Sequence, residues 1–222
     1  MSQPDTINYL QYWDNLKVGE IPWVRRKKSH PVRDRFVRYC INTMPASIIE
    51  IGAGECIEAD EIRKVMPKIR YEIVDIATPF IECARKKGYL VHVAPMDNTK
   101  IETKAFELLY LAGVLEHSRE ISFAVEELAR ISQRFYISMF KWKMISGGLD
   151  ANTEKGYYST EYNIEDIIRQ ISRRGIIDYI EAVTVDGKVR AWKEYRAERE
   201  LYHTDRHNNN TYLSVVGTWN AA

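Results

Sequence analysis

Three carboxylates crowd two glycines in the segment Ser47-Ile48-Ile49-Glu50-Ile51-Gly52-Ala53-Gly54-Glu55-Cys56-Ile57-Glu58. Glycines spaced G-x-G let a backbone come within contact distance of a ligand that any Cβ would push away. Glu50, Glu55 and Glu58 then restrict what that ligand can be. A helix start normally welcomes a diphosphate, but carboxylates gathered there repel one at close range, by kilocalories where they are desolvated. A ligand carrying an ammonium and a sulfonium is tolerated or favoured instead. A dinucleotide fingerprint also asks for a third glycine, and Ile57 occupies that place.

Two residues further along carry chemistry of their own. Asp75 closes the apolar run Arg70-Tyr71-Glu72-Ile73-Val74-Asp75, 21 residues beyond Gly54. An acid near that distance accepts the hydroxyls of a ribose, since one carboxylate offers two acceptors to a vicinal diol. The plainer alternative is an aspartate that caps the next helix. His117 ends Val114-Leu115-Glu116-His117, where a neutral imidazole can act as a general base near neutrality. It could equally fix the turn between a strand and a helix. A third alternative is a metal ligand, with His203 and His207, spaced i, i+4, as further donors.

The elements that must hold these groups follow from periodicity. The run through Ile51 reads as a buried strand, and Ile57 to Met66 as an amphipathic helix with acids first, bases last and Pro67 as its stop. A helix opens at Thr78-Pro79, with Thr78 as N-cap, and closes at Gly88. Tyr89–Val93, Phe106–Ala112 and Ser132–Phe140 are further strands, the middle one apolar throughout, as a central parallel strand must be. Ser118 is expected to cap a helix over Ile121, Val125 and Leu128. Asn163 is expected to cap one over Ile164, Ile167, Ile168 and Ile171 that Gly175 ends. Ile176–Val185 and Thr211–Trp219 complete seven strands, and the absence of an obligatory crossover helix between them suggests an antiparallel last strand. The charged stretch between those two holds a possible helix from Trp192 to Tyr202.

Ahead of the first strand, residues 5 to 17 place Ile7, Leu10, Trp13 and Leu16 on one helical face. A second helix follows Pro31, with Val32, Phe36, Val37, Cys40, Ile41 and Met44 inward. Arg25-Arg26-Lys27-Lys28 between them is either a solvated connection or an electropositive rim for a substrate carboxylate or phosphate. After Lys141-Trp142-Lys143-Met144 and Gly147-Gly148 a long polar loop runs to Thr160, beyond the carboxyl end of a strand, where substrate-selecting loops lie; its Tyr157 and Tyr158 either meet a substrate or are ordinary packing aromatics.

Glu50-Ile51-Gly52-Ala53-Gly54 resembles the first motif of the class I S-adenosylmethionine-dependent methyltransferases, an acid, an apolar residue, then G-x-G. Cys56 departs from it, standing where many members have a third glycine. Val114-Leu115-Glu116-His117 resembles the matching segment of many small-molecule methyltransferases, quinone-biosynthesis relatives among them, and Glu107 stands where most carry an acid early in the strand. The resemblance covers residues 32 to 219. It implies an α/β, doubly wound, seven-stranded sheet, mostly parallel, with an antiparallel last strand. It implies one domain over 1–222, with 1–44 as a helical cap on a 45–222 core. The cofactor would be S-adenosylmethionine, held by Glu50, Gly52, Ala53, Gly54, Asp75, Ile76, Ala112 and Gly113. Asp97 would reach the adenine amino group and Met96 pack on the purine, although Asp97-Asn98 is also a common turn pair. Metal-dependent relatives of a small-RNA type use E-x-x-E-H, and Gly113 stands at the first acid, so no metal is expected.

The activity implied is methyl transfer to a small molecule, with His117 as base where the acceptor needs one. The alternative is a non-catalytic regulator or partner subunit that keeps the fold. A nicotinamide-dependent oxidoreductase is disfavoured by the acidic turn. With 32 Lys plus Arg against 31 Asp plus Glu, the net charge of +1 argues against a large nucleic-acid footprint. Cys40, Cys56 and Cys83 fit neither a disulfide framework nor a zinc spacing. The start Met-Ser-Gln-Pro-Asp has no leader pattern and no run is long enough to span a membrane, which points to the cytoplasm.

Overall fold

The computed structural model describes residues 12–20, 30–118, 120–139, 142–143, 162–184, 186–194 and 211–221. Helix α1 (Pro31–Thr43) leads into β1 (Ser47–Ile51), α2 (Ile57–Val65), β2 (Arg70–Asp75), α3 (Thr78–Lys86), β3 (Leu90–Val93) and β4 (Phe106–Ala112). A 3₁₀ turn (Leu115–His117) precedes α4 (Ile121–Ile131) and β5 (Ser132–Met139). After the short pair β6 (Trp142–Lys143) and β7 (Tyr162–Asn163) come α5 (Ile164–Ser172), β8 (Gly175–Thr184), β9 (Val189–Ala191) and β10 (Thr211–Trp219).

Eight strands form one sheet in the order β3-β2-β1-β4-β5-β10-β8-β9. The first five run parallel, and β10 inserts antiparallel between β5 and β8, so the reversed last strand is borne out. The eighth strand, β9, hairpins back on β8 and lies in the charged stretch expected to be a connection. Helical structure begins there at Trp192 and runs to Glu194 within the described residues.

The apolar runs bury both faces of the sheet. On one face Ile49, Ile51, Leu109, Leu111, Phe135 and Ile137 pack under α4 and α5, through Val125, Leu128, Ile167 and Ile171. On the other, Ile48, Ile73, Leu108, Tyr110 and Tyr136 meet α1, α2 and α3, through Phe36, Cys40, Ile62 and Ala84. Phe36 stacks on Tyr110 with ring centroids 3.6 Å apart and planes 8° from parallel. Each such buried side chain contributes about 1.5–3 kcal/mol of hydrophobic stabilisation. Ile41 and Met44, expected inward, are exposed, because α1 buries Val32, Arg33, Phe36 and Cys40, with Val37 packed beside them, and turns its other face outward.

Three boundaries differ from expectation. Residue Glu120, not Ser118, sits at the N-cap of α4, since the 3₁₀ turn takes up Leu115–His117 first. Ala77, not Thr78, is the N-cap of α3; the Thr78 amide is instead capped from outside by Asp14 Oδ1 at 2.9 Å. Helix α5 ends at Ser172, and Gly175 is the first residue of β8, where a Cβ would lie 2.6 Å from the Thr218 carbonyl oxygen. Asn163 does cap α5, its side chain accepting from the Glu165 amide at 2.8 Å. Among the described residues no helix is long and apolar enough to cross a membrane.

Candidate functional site

Strand order places a cleft where the chain reverses direction. From β1 the connections run outward to β2 and β3, and from β3 the chain crosses back to β4 on the other side of β1. In open sheets of this kind ligands bind at the carboxyl ends beside that reversal. Register fixes which residues meet there: Ile51 pairs with Val74 on one side and with Leu111 on the other. The exits Gly52, Asp75-Ile76 and Ala112-Gly113 therefore stand side by side.

The turn between β1 and α2 is built on left-handed backbone. Gly52, Gly54 and Cys56 have φ of +68°, +53° and +59°. Gly52 donates its amide to the Val74 carbonyl at 2.8 Å, and a Cβ there would lie 2.6 Å from Val114 Cγ2. Around Gly54 nothing lies within 4 Å of an added Cβ, so that turn faces open space. Cys56 adopts the glycine-like conformation while burying its side chain completely, which explains how the departure at this position is accommodated. Burial pushes its thiol pKa up, so it behaves as a small apolar residue.

The acids around the turn serve different partners. Glu50, 3% exposed, lies beneath it and accepts the Tyr71 hydroxyl at 2.8 Å. Burial, and then the nearby Glu58, push its carboxyl well above the usual range. Glu55 Oε1 accepts the Gly19 amide at 2.8 Å. Asp60 takes the Tyr89 hydroxyl at 2.8 Å and the Lys87 ammonium at 2.6 Å, and that ammonium also reaches the Glu55 carbonyl at 2.6 Å. Part of the negative charge read from the sequence is thus spent on the protein's own donors.

Asp75 is different. It is 7% exposed; its Oδ1 accepts the amides of Ile76 (2.8 Å) and Ala77 (3.0 Å), and its Oδ2 has no hydrogen-bond partner. Burial raises its pKa to about 6, opposed by the amides of Ala77, Ile76 and Gly54. A buried carboxylate oxygen without a partner costs stability unless something else donates to it.

His117 closes the 3₁₀ turn beyond Gly113, whose amide donates to the Ser138 carbonyl at 2.8 Å. Its imidazole meets the Trp13 ring edge-on, centroids 4.9 Å apart at 74°. Trp13 and Leu16 also pack on Ala77 and Phe80. Through Trp13, Asp14 and Gly19 the segment 12–20 touches the exits of β1, β2 and β4. Ser118, next in the chain, is buried with its Oγ unpartnered.

The structure therefore brings Glu50, Gly52, Ala53, Gly54, Asp75, Ile76, Ala112, Gly113 and His117 to one end of the sheet. Met96 is half-buried against the core of that end, and Asp97 is exposed in the turn closed by the Asn98 amide on the Pro95 carbonyl at 3.1 Å. His203, His207, Tyr157, Tyr158 and the Arg25–Lys28 run lie outside the described residues. One buried charge stands apart from these. Arg33, 2% exposed, sits in the first turn of α1, the end of that helix where Val32 packs on Val183 and Tyr212. The signal was present, since Arg33 falls one helical turn before Phe36 on the apolar stripe, where a charge needs a reason.

Residues 49–134 match the family model described as a methyltransferase domain. No curated protein matches in sequence. Among solved structures, the chain resembles geranyl diphosphate C-methyltransferase of Streptomyces coelicolor A3(2) at a TM-score of 0.64 and 12% identity, covering 96% of this chain and 97% of that one. An S-adenosylmethionine-dependent methyltransferase of Mesorhizobium loti gives 0.58 and 15%, over 84% and 97%. The 1,6-didemethyltoxoflavin-N1-methyltransferase of Burkholderia thailandensis gives 0.58 and 13%, over 87% and 80%.

Proposed function

We propose, for a chain that carries the class I methyltransferase fold and a methyltransferase-domain match, that it binds S-adenosylmethionine at the β1–β4 cleft and transfers its methyl group to a small molecule. The observation that carries this reading is Asp75, a buried carboxylate with one oxygen left unpartnered beside an open glycine turn. A ribose diol would supply the missing donors. Gly52, Ala53 and Gly54 would pass beneath the nucleoside, Asp97 and Met96 would meet the adenine, and Ala112 and Gly113 would line the opposite wall. Glu50, raised by burial, is suited to a cationic neighbour that draws it back to its ionised form.

When bound, the cofactor supplies a methyl group already activated by its sulfonium. The protein's contribution is then orientation, and alignment at close approach can supply several kilocalories of barrier lowering. His117 would take a proton from a hydroxyl or ammonium acceptor. A non-catalytic regulator of the same fold draws on the cysteine at position 56 and on the lack of a recognisable acceptor motif; the left-handed Cys56 answers the first of these, and methyl transfer decides the second.

Calorimetric titration should show binding of S-adenosylmethionine and S-adenosylhomocysteine and none of NAD, and labelled methyl should pass from the cofactor to a small-molecule fraction of cell extract. Tight binding with transfer to no fraction would favour the regulator. His117→Ala should cut transfer about 10²-fold or more, the usual scale for a lost general base, with S-adenosylhomocysteine affinity unchanged within about twofold. Transfer near the wild-type rate would leave His117 as a residue of the turn.

A further inference from the structure

The turn that carries His117 is held from two sides by residues far away in sequence. On one side is the edge-on Trp13 ring. On the other, the Tyr162 hydroxyl donates to the Ser118 carbonyl at 2.8 Å. Ser118 is the C-cap of the 3₁₀ turn that presents the imidazole. Tyr162 is 4% exposed, its ring lodged in the core beside Ile164. It is also where the chain returns to the body of the protein after β5: Tyr162 pairs with Trp142 across the β6–β7 ladder, and the next residue, Asn163, caps α5.

We infer that Tyr162 is a positioning residue for His117, its phenol fixing the turn so that the imidazole is presented in one orientation. The inference rests on the reading of His117 as the base. A 3₁₀ turn of three residues has few bonds of its own: the His117 amide donates to the Val114 carbonyl at 2.9 Å and the Ser118 amide to the Leu115 carbonyl at 3.0 Å. A buried carbonyl at its end must find a donor or move, and the donor it has comes from Tyr162. The same bond links the turn to the base of the segment between β6 and β7, which follows the strand end where substrate-selecting loops lie.

The test is Tyr162→Phe, which deletes the hydroxyl and keeps the ring in its core site. In the protein labelled with ¹⁵N at histidine, the imidazole resonances of His117, assigned by their loss in His117→Ala, should move or broaden in Tyr162→Phe. S-adenosylhomocysteine affinity should stay within about twofold, while labelled methyl transfer to cell extract falls about tenfold or more, the scale of a misplaced catalytic group. Imidazole resonances identical to wild type would overturn the inference and leave the proposed function standing. Loss of S-adenosylhomocysteine binding in Tyr162→Phe would also overturn it, since the phenol would then support the whole cleft. A wild-type protein that binds no S-adenosylhomocysteine would overturn the functional reading instead, and the resonances would still decide whether Tyr162 sets the imidazole.

Discussion

Asp75→Ala is expected to weaken S-adenosylhomocysteine binding by about 100-fold or more. Hydrogen bonds to a charged group contribute about 1.5–3 kcal/mol each, and a ribose would make two to this carboxylate. Asp75→Asn, which keeps an acceptor but loses the charge, should fall between. The carboxylate also predicts a pH dependence of definite sign. Its pKa is raised by burial from 3.8 to about 6, so the ligand-free fold is relieved when Asp75 is protonated. That contribution to stability is complete below about pH 4 and is lost as pH rises through 6. At neutral pH the ionised, buried carboxylate costs about 3 kcal/mol, one pKa unit being about 1.4 kcal/mol. A diol that donates to it offsets this cost, so cofactor affinity should increase from pH 5 to pH 7, by up to about tenfold per unit. Affinity indifferent to pH, with Asp75→Ala binding like wild type, would retire the ribose assignment.

Most of this site was legible in the sequence because the features that place it are local. A β-branched run broken by G-x-G, and an apolar strand closing on an acid, are short-range signals, and parallel pairing then aligns their ends at one level. What was not legible depends on contacts between distant residues. Nothing near Glu55 shows that its carboxylate is taken by the Gly19 amide, nor that the Thr78 amide is bound by Asp14 from a distant segment. The eighth strand is illegible for a related reason: Val189-Arg190-Ala191 is only three residues long and exposed throughout, and pairing with β8 alone makes it a strand. Cys56 misled in the opposite direction. A cysteine where glycine is usual reads as a loss, yet the backbone keeps the glycine conformation and only pays its strain. Arg33 is visible in the sequence as a charge on an apolar stripe, where burial carries a cost.

Gly52 and Gly54 share a conformation and differ in what surrounds them, so replacing each with alanine separates fold from ligand. Gly52→Ala should destabilise the protein by about 2–5 kcal/mol. Left-handed backbone costs a residue with a Cβ about 1–2 kcal/mol. The added methyl, 2.6 Å from Val114 Cγ2 and 3.0 Å from Cγ1, adds an overpacking penalty of about 1–3 kcal/mol. Val114 begins the passage to His117, so displacing it should disturb the β4 exit as well. Gly54→Ala meets no protein atom within 4 Å and should cost only the conformational 1–2 kcal/mol or so. Its methyl, however, points into the space assigned to the cofactor, and S-adenosylhomocysteine affinity should fall at least about tenfold. Urea unfolding midpoints and calorimetric affinities on the two variants would check the contrast. If Gly54→Ala bound like wild type, the open face of the turn would not be where the nucleoside lies, and the cleft would have to be sought on the far side of β4.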